Sequence, residues 1–594
     1  MTGEINAGKQ VSRYDAPKFR AMTAREEDIV ADTLQEFSQL QTWRNTFAAQ
    51  WEEVAELILP TSRNTFYYGN FNWPGQKKTD RQVDSTGMLA NLRFAAICNS
   101  LLTPENMQWH TLGADDPYVM KDRASRLWFE QATRILFKYR YDARSNFIGQ
   151  NQSNYNSLGA FGNMTMFTDE FDFRLGGGPG LRYRAVPLGE TYYRENHQGL
   201  VNGIIRWFRL TAQQMWEKWG DDGRFPPSAY PALNSRSQTP FNILHRVVPN
   251  TDYDPDMLFG PKTKKFASYY VVMEDRLLVE EGGFNEFPYA VGRYDQFPGE
   301  TYGRGPSMMV LPTLKTLNAE KRVFLKQGHR ASDPVLLTTD DGIVDFMMVP
   351  GALNKGGMSA DGHPLVGTLP TGNIQINKEM MDEERALIND ANLVTLFQIL
   401  TESPQMTATE IIERTNEKGI LLAPAMGRQQ SEYLGNLIPR ELNILARLRI
   451  LPPMPPRLRE AKGAYSIVYT SPLSKAMRAQ EAAGFMRTLE SVKELVNITG
   501  DTSLLDPFEF DTAVPGIADI QAVPESWMSS PQSIAQKRQS RAQAQAEQQK
   551  IQAMPAQAAM MKAQAVAAKA GAGPTAPAQR SEFQGGAPQG MPQQ

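Results

Sequence analysis

Hydrophobic spacing switches repeatedly between a helical and a two-residue period along this chain, which excludes a fold made of one kind of element. The first 165 residues keep helical spacing between proline and glycine stops. Thr23 and Glu26 form a capping box, and Ile29, Val30, Leu34, Phe37 and Leu40, then Phe47, Trp51, Val54 and Ile58, recur at helical steps until Pro60. That predicts one long or once-broken helix. A second helix is expected from Asp84, as N-cap, to Thr103, and a third from about Lys121 through Tyr155. Between about Arg182 and Phe297 the period becomes two, as in Ile205, Trp207, Arg209 and again in Phe241, Ile243, His245, Val247. These segments predict strands, with FASYYVVM and RLLVEE joined at Glu274 and Asp275 as a hairpin. The fold class is therefore mixed α+β, mainly α.

Helical spacing returns at 306–330, where Val310, Leu314, Leu317 and Phe324 mark the apolar stripe. The other faces carry Lys315, Lys321, Arg322, Lys326 and Arg330 against Glu320 alone. Residues 331–376 are divided by Pro334, Gly342, Pro350, Gly351, Gly356, Gly357 and Pro370, which predicts a small β-rich insertion. Its apolar run Phe346, Met347, Met348, Val349 has no large local core to enter. The helix from about Asn377 is acidic, with Glu379, Asp382, Glu383, Glu384 and Asp390 against Lys378 and Arg385. Two readings stay open: two solvated faces, or antiparallel pairing of opposite charge. After the break Thr401, Glu402, Ser403, Pro404, Gln405, a capping box at Thr407 and Glu410 opens a helical region to Leu451, kinked or split by Gly419, Pro424 and Gly427. A strand at Tyr465–Tyr469, a helix around Ser474–Val496 and an acidic, loop-like piece follow. The tail from Pro531, half alanine and glutamine, favours helix to about Lys569, with a disordered end.

Charge divides along the same lines. Residues 531–594 hold seven Lys or Arg against two acids, so with −3 overall the preceding 530 residues carry −8. Such a body is a poor non-specific DNA binder, because that binding rests on cations releasing phosphate counterions. A single cysteine, Cys98, excludes an internal disulfide and a cysteine-built metal centre. No apolar run reaches the roughly 18 residues a membrane span needs, so no membrane association and no secretory route are expected. No catalytic motif is complete in the sequence. Gly3-Glu4-Ile5-Asn6-Ala7-Gly8-Lys9-Gln10 fails a phosphate loop at its last position, where a Ser or Thr hydroxyl must hold magnesium. His329, Ser332 and Asp333 read as a helix end and its cap, Gly176 to Gly180 and Gly303 with Gly305 as turns, and Asp340, Asp341 and Asp345 as loop acids facing water. No enzyme activity, metal or cofactor is expected.

The runs MTATEIIER from Met406, APAMGRQQSEYL from Ala423, VYTSPLSKAMRAQE from Val468 and VPESWMSSPQSIAQKRQSRAQAQ from Val523 resemble the head-to-tail connecting, or portal, proteins of short-tailed bacteriophages. WRNTFAAQWEEVAELILP and LGAFGNMTMF agree more loosely, and the specificity lies in the colinear order of all these runs. The resemblance implies a ring of usually twelve copies with a central channel at one capsid vertex. It further implies a wing at 1–305, stem helices at 306–330 and 377–399, a clip at 331–376 and a tunnel loop at 400–406. The remaining parts would be a wing-to-crown helical region at 407–452, a crown at 453–530 and a partly helical, barrel-like tail at 531–594.

On that reading Thr401, Glu402, Ser403, Pro404 and Gln405 face DNA, the stem charges line the channel or pair between subunits, and Phe346 to Val349 form the clip docking surface. The implied partners are other copies, double-stranded DNA, the terminase large subunit, a tail adaptor or head-completion protein, the major capsid protein and the scaffolding protein. The implied locations are the host cytoplasm during assembly and then the portal vertex of the virion. With no nucleotide site here, ATP hydrolysis would belong to the motor. The alternative is a capsid-internal ejection or core protein, for which an Ala/Gln tail is a typical ingredient; a ring with a central hole discriminates against it.

Overall fold

The computed structural model describes residues 21–62, 66–67, 79–171, 178–220, 224–257, 260–338, 347, 349–370, 374–395, 427–461, 463–470, 472–500, 505–520, 527–529 and 531–570. The chain divides into two compact units, Met1–Val523 and Pro524–Gln594.

In the first unit the Thr23/Glu26 capping box opens α1 (Ala24–Leu57), which runs unbroken for 34 residues. Helix α2 (Thr86–Leu102) follows, with the Asp84 carboxylate accepting from the Thr86 N–H at 2.8 Å. Strand β1 (His110–Gly113) precedes α3 (Arg123–Arg140) and α4 (Phe147–Phe161). The helix expected over Lys121–Tyr155 is thus cut at 141–146. There the Ser145 hydroxyl donates to the carbonyls of Arg140 and Asp142, the Asp142 carboxylate accepts from the Arg144 N–H, and Asn146 sits at φ 56°. Short polar side chains bonding to their own backbone compete with the helix ladder and end it.

Two antiparallel sheets follow. One has the order β3 (Leu181–Ala185), β2 (Asn163–Glu170), β9 (Tyr289–Arg293); the other is the meander β4 (Thr191–Glu195), β5 (Val201–Thr211), β6 (Pro240–Pro249), β7 (Phe266–Val272), β8 (Leu277–Phe284). The expected hairpin is β7–β8, whereas β2 lies before the predicted strand region. Helix α5 (Ala212–Trp219) leaves β5 through its own capping box at Thr211 and Gln214.

Gly162 ends α4 at φ 73°, and the chain at 304–305 passes so close that a Cβ there would meet the Arg304 carbonyl carbon at 2.3 Å. Only glycine allows that approach. Gly303 and Gly305 are therefore more than turns: they pack on Gly162 and fix where the next helices start. After a short helix Pro306–Met309 and a break before Pro312, α6 spans Leu311–Ser332. Strands β10 (Leu336–Thr338) and β11 (Val366–Thr368) pair antiparallel, and α7 spans Ile374–Ala391. The chain resumes as a π-helical turn, Gln429–Leu434, continued by α8 (Gly435–Arg447). Pro439 lies inside α8 and offers no N–H to the turn before it, which favours such irregular winding.

Strand β12 (Ser466–Tyr469) pairs with β1, and α9 (Pro472–Thr499) follows. The acidic piece beyond it, expected to be loop, contains α10 (Phe510–Ile520), begun where the Ala513 N–H donates to the Glu509 carbonyl. In the second unit α11 spans Pro531–Ala570, one residue beyond the expected end.

The core that positions α6 and α7 gathers Trp51 and Val54 of α1, Phe161, Tyr193, Ile204 and Tyr289 around Leu311, Leu314 and Leu317 of α6 and Met381 and Ile388 of α7. A second core joins α2, α3, α4, β1 and β2 to α8.

Candidate functional site

Helices α6 and α7 are antiparallel. The Asn377 amide donates to the Gln327 side chain, and Glu320 and Glu384 meet one turn-pair further along in the same register. Their base is clamped to the start of α2. Asn318 accepts from the N–H groups of Val83 and Asp84 at 2.7 and 3.3 Å and donates to the Arg81 carbonyl at 2.8 Å. Arg385 bonds Asp84 at 2.8 Å and Asp382 at 2.8 Å. Burial alone would raise the Asp84 pKa, but the bonds from Arg385 and Thr86 outweigh it and hold the carboxyl below its usual range.

Beyond Asn318 no described residue of α6 is buried, and Val323, Leu325, Ile376, Met380 and Leu387 are left exposed on the pair. The expected charge residues occupy these same helices. Lys315 reaches back to Glu53 of α1 and Arg322 to the Arg81 carbonyl. Lys321 lies over the Phe324 ring, and Lys326, Arg330, Glu379, Asp382 and Glu383 stand exposed. Among the described residues no ion pair joins α6 to α7, so opposite charge does not hold the two helices of one chain together; Leu311, Leu314, Leu317, Met381 and Ile388 do.

The contact between Glu320 and Glu384 is like-charged, and each has an oxygen cut off from water without a hydrogen-bond partner. Burial, then the Glu384 charge, raises the Glu320 pKa above its ordinary 4.5. A raised carboxyl pKa gives stability that is present below the ordinary value and lost as pH rises through the raised one. Glu320→Gln is therefore expected to melt higher than the parent at neutral pH, with the two melting curves converging near pH 4. A difference independent of pH would mean that the two carboxylates do not repel.

At the far end of the pair, Met347 and Val349 are 68% and 67% exposed, while Phe346 and Met348 lie outside the described residues. So do Thr401, Glu402, Ser403, Pro404, Gln405 and the Thr407/Glu410 capping box, as do Gly3–Gln10 and Asp340, Asp341 and Asp345. Asp333 donates its N–H to the His329 carbonyl at 2.8 Å, as a helix end does. Among the described residues no cluster of metal-ligating side chains occurs and no helix is long and apolar enough to cross a membrane.

Where the chain resumes after these segments it is bound tightly. Arg293, at the end of β9 with a side chain 1% exposed, pairs with Glu432 of the π turn at 3.0 Å and with Glu195, and donates to the carbonyls of Thr301 and Gly199. Gln429 donates back to the Arg293 carbonyl at 2.6 Å, Tyr433 to Asn151 at 2.8 Å and Tyr469 to the Gln430 carbonyl at 2.7 Å. Seven residues beyond the π turn α8 buries Glu441. Its carboxylate accepts from both Nε and a terminal nitrogen of Arg140 and from the Tyr183 hydroxyl at 2.6 Å. Arg140 also donates to His110 Nε2 at 3.0 Å, and burial, then the Arg140 charge, pushes the His110 pKa well down, so the ring is neutral. Sequence reasoning missed Arg293, Arg140 and Glu441. Their types and spacing are those of surface charges, and only long-range contacts bury them.

The model of the bacteriophage head to tail connecting protein family matches residues 31–528. The chain is 25% identical over 500 residues to the probable portal protein of Bordetella phage BPP-1, covering 82% of this chain and 87% of that one. It is likewise 25% identical over 499 residues to the portal protein of Salmonella phage epsilon15, with the same coverages. A match that takes in α2 to α10, and with them α6, α7 and the segment between, settles the family: the chain is a member of the bacteriophage head-to-tail connecting proteins.

Proposed function

We propose that this protein is the portal subunit of a short-tailed phage: a ring at one capsid vertex through which double-stranded DNA enters during packaging and leaves during ejection. The observation that carries the reading is the family match over a chain whose α6 and α7 leave the body as an antiparallel pair with apolar side chains bare on both. A lone chain gains nothing from exposing Val323, Leu325, Ile376, Met380 and Leu387; repeated around an axis, such faces bury one another. In the ring the exposed stem charges would pair between neighbours or face the channel. The β10–β11 segment with Met347 and Val349 would be the clip, meeting the terminase large subunit first and the tail adaptor or head-completion protein afterwards. The wing would face the major capsid and scaffolding proteins. The ring would assemble in the host cytoplasm and remain in the virion. The −8 charge of residues 1–530 suits a conduit, since a mostly negative wall keeps phosphate from sticking.

The test is the mass and shape of the purified chain. A closed ring with a central hole is expected, and twelve copies of 66.5 kDa weigh about 0.8 MDa. A monodisperse monomer, or an irregular oligomer without a hole as an internal ejection protein would give, overturns the reading.

A further inference from the structure

The two sheets of the wing face each other across a cleft of about 760 Å³ that the stem and clip do not touch. Its floor is a cross-strand row on the meander: Arg206 lies beside His245, His245 beside Tyr270 and Tyr270 beside Glu280. The row is internally satisfied. His245 stacks on Tyr270 at 4.0 Å and bonds Tyr289 and Ser268, and Lys218 of α5 sits 3.4 Å above the Tyr270 ring and 3.1 Å from Glu280. The facing wall comes from β2 and β3, where Phe167 pairs with Arg184 and Asp169 with Arg182, so that all four side chains share one face.

Charge in the cleft does not balance. Arg206 has Glu190 at 2.8 Å, Lys218 has Glu280, Asp169 has Arg440 at 3.6 Å, and Glu170 has Arg447. Among the described residues the Arg182 side chain donates to the neutral Arg144 carbonyl alone, and the Arg184 side chain makes no hydrogen bond or ion pair, feeling Glu190, already paired to Arg206, only at a distance. Two guanidinium groups are therefore left over, side by side, next to Phe167, Phe208 and Leu210. Crowding is felt at Arg184, whose pKa is pushed down by burial and by the Arg206 charge.

We propose that this cleft is a docking site for an acidic peptide segment of a partner protein, with carboxylates taken by Arg182 and Arg184 and an apolar or aromatic side chain laid against Phe167, Phe208 and Leu210. Guanidinium forks match carboxylates bidentately, and the apolar walls favour a side chain that carries no charge. A nucleic acid fits less well, because only two guanidinium groups are left over in the cleft, too few for a chain of phosphates, and the apolar surface of Phe167, Phe208 and Leu210 beside them suits a side chain better than a sugar-phosphate backbone. The site neither uses nor requires the ring proposed above.

Titrating the full-length protein with a short fluorescein-labelled peptide of alternating glutamate and phenylalanine tests this. Its glutamine counterpart and a labelled short DNA duplex serve as comparisons. Arg182→Glu with Arg184→Glu should weaken the acidic peptide on the order of tenfold or more, while Lys138→Glu, an exposed change on α3, should not. Both altered side chains reach solvent, Arg184 from within the cleft that desolvates it in part, and neither makes an ion pair, so the melting curve of the double variant should stay close to the parent and separate lost binding from lost fold. No binding to the parent, equal binding of the glutamate and glutamine peptides, equal binding by the double variant, or DNA held more tightly than peptide in the same cleft would each overturn the proposal. Ring formation is read separately by mass, so failure of one reading leaves the other measurable.

Discussion

Glu441→Ala is expected to cost about 3–5 kcal/mol of stability, the range measured for breaking a buried ion pair by removing one partner. Both side chains of the Arg140–Glu441 pair are 0% exposed. Removing the carboxylate leaves Arg140 charged in the interior beside the faces of Trp109 and Phe137, whose ring centroids lie 4.5 and 4.9 Å from its guanidinium carbon. Cation–π attraction of about 1–2 kcal/mol does not offset the lost carboxylate and the bare Tyr183 hydroxyl. Replacing both partners together, Arg140→Met with Glu441→Leu, removes the stranded charge and should recover much of the loss. Urea unfolding of the parent, Arg140→Met, Glu441→Leu and the double checks this as a cycle, with Glu441→Ala measured beside them. A single variant as stable as the parent would mean that the pair carries no weight in holding α8 to α3.

Removing residues 401–405 is expected to leave ring and capsid assembly intact while sharply lowering the DNA retained per particle. Before this segment lies α7, and the Val394 side chain is buried in the core that holds α6 and α7. After it, from Gly427, the chain is locked by Arg293, Glu432, Gln429 and Tyr433. Anchors on both sides let the ring form without the loop. In the sequence, Pro404 cannot continue a helix, and Thr407 with Glu410 restarts one at once. Glu402 repels phosphate, whereas Thr401, Ser403 and Gln405 can donate hydrogen bonds to it, a mixture suited to guiding DNA without gripping it. The length of DNA protected from nuclease in purified particles reads the effect. Particles that package and hold a full genome would reduce these five residues to a connection.

Local pattern was legible where a residue's neighbours in space are also its neighbours in sequence. The capping box of α1, the β7–β8 hairpin, the helix–insertion–helix order of α6, β10–β11 and α7, and the strand at Ser466–Tyr469 all follow from spacing and turn chemistry. The cut at 141–146 did not follow, because the apolar spacing continues through it and the deciding bonds are made by single short polar side chains. Helix α10 was hidden by the acids and prolines of its segment, which lower intrinsic helix propensity without forbidding the helix.

The sequence by itself determined the mixed α+β class, the succession of its mainly helical and strand-rich stretches and, through colinear runs, the family. Tertiary structure alone decided which charges are buried and which are left over. Arg140 and Glu441 are 301 positions apart, Arg293 and Glu432 are 139 apart, and β1 finds β12 across most of the unit. An arginine reads the same in a sequence whether it ends in water, in a buried pair like Arg140 or in an unbalanced cleft like Arg184. The difference lies in desolvation and in the nearest opposite charge, and both are set by elements that meet only when the chain has folded.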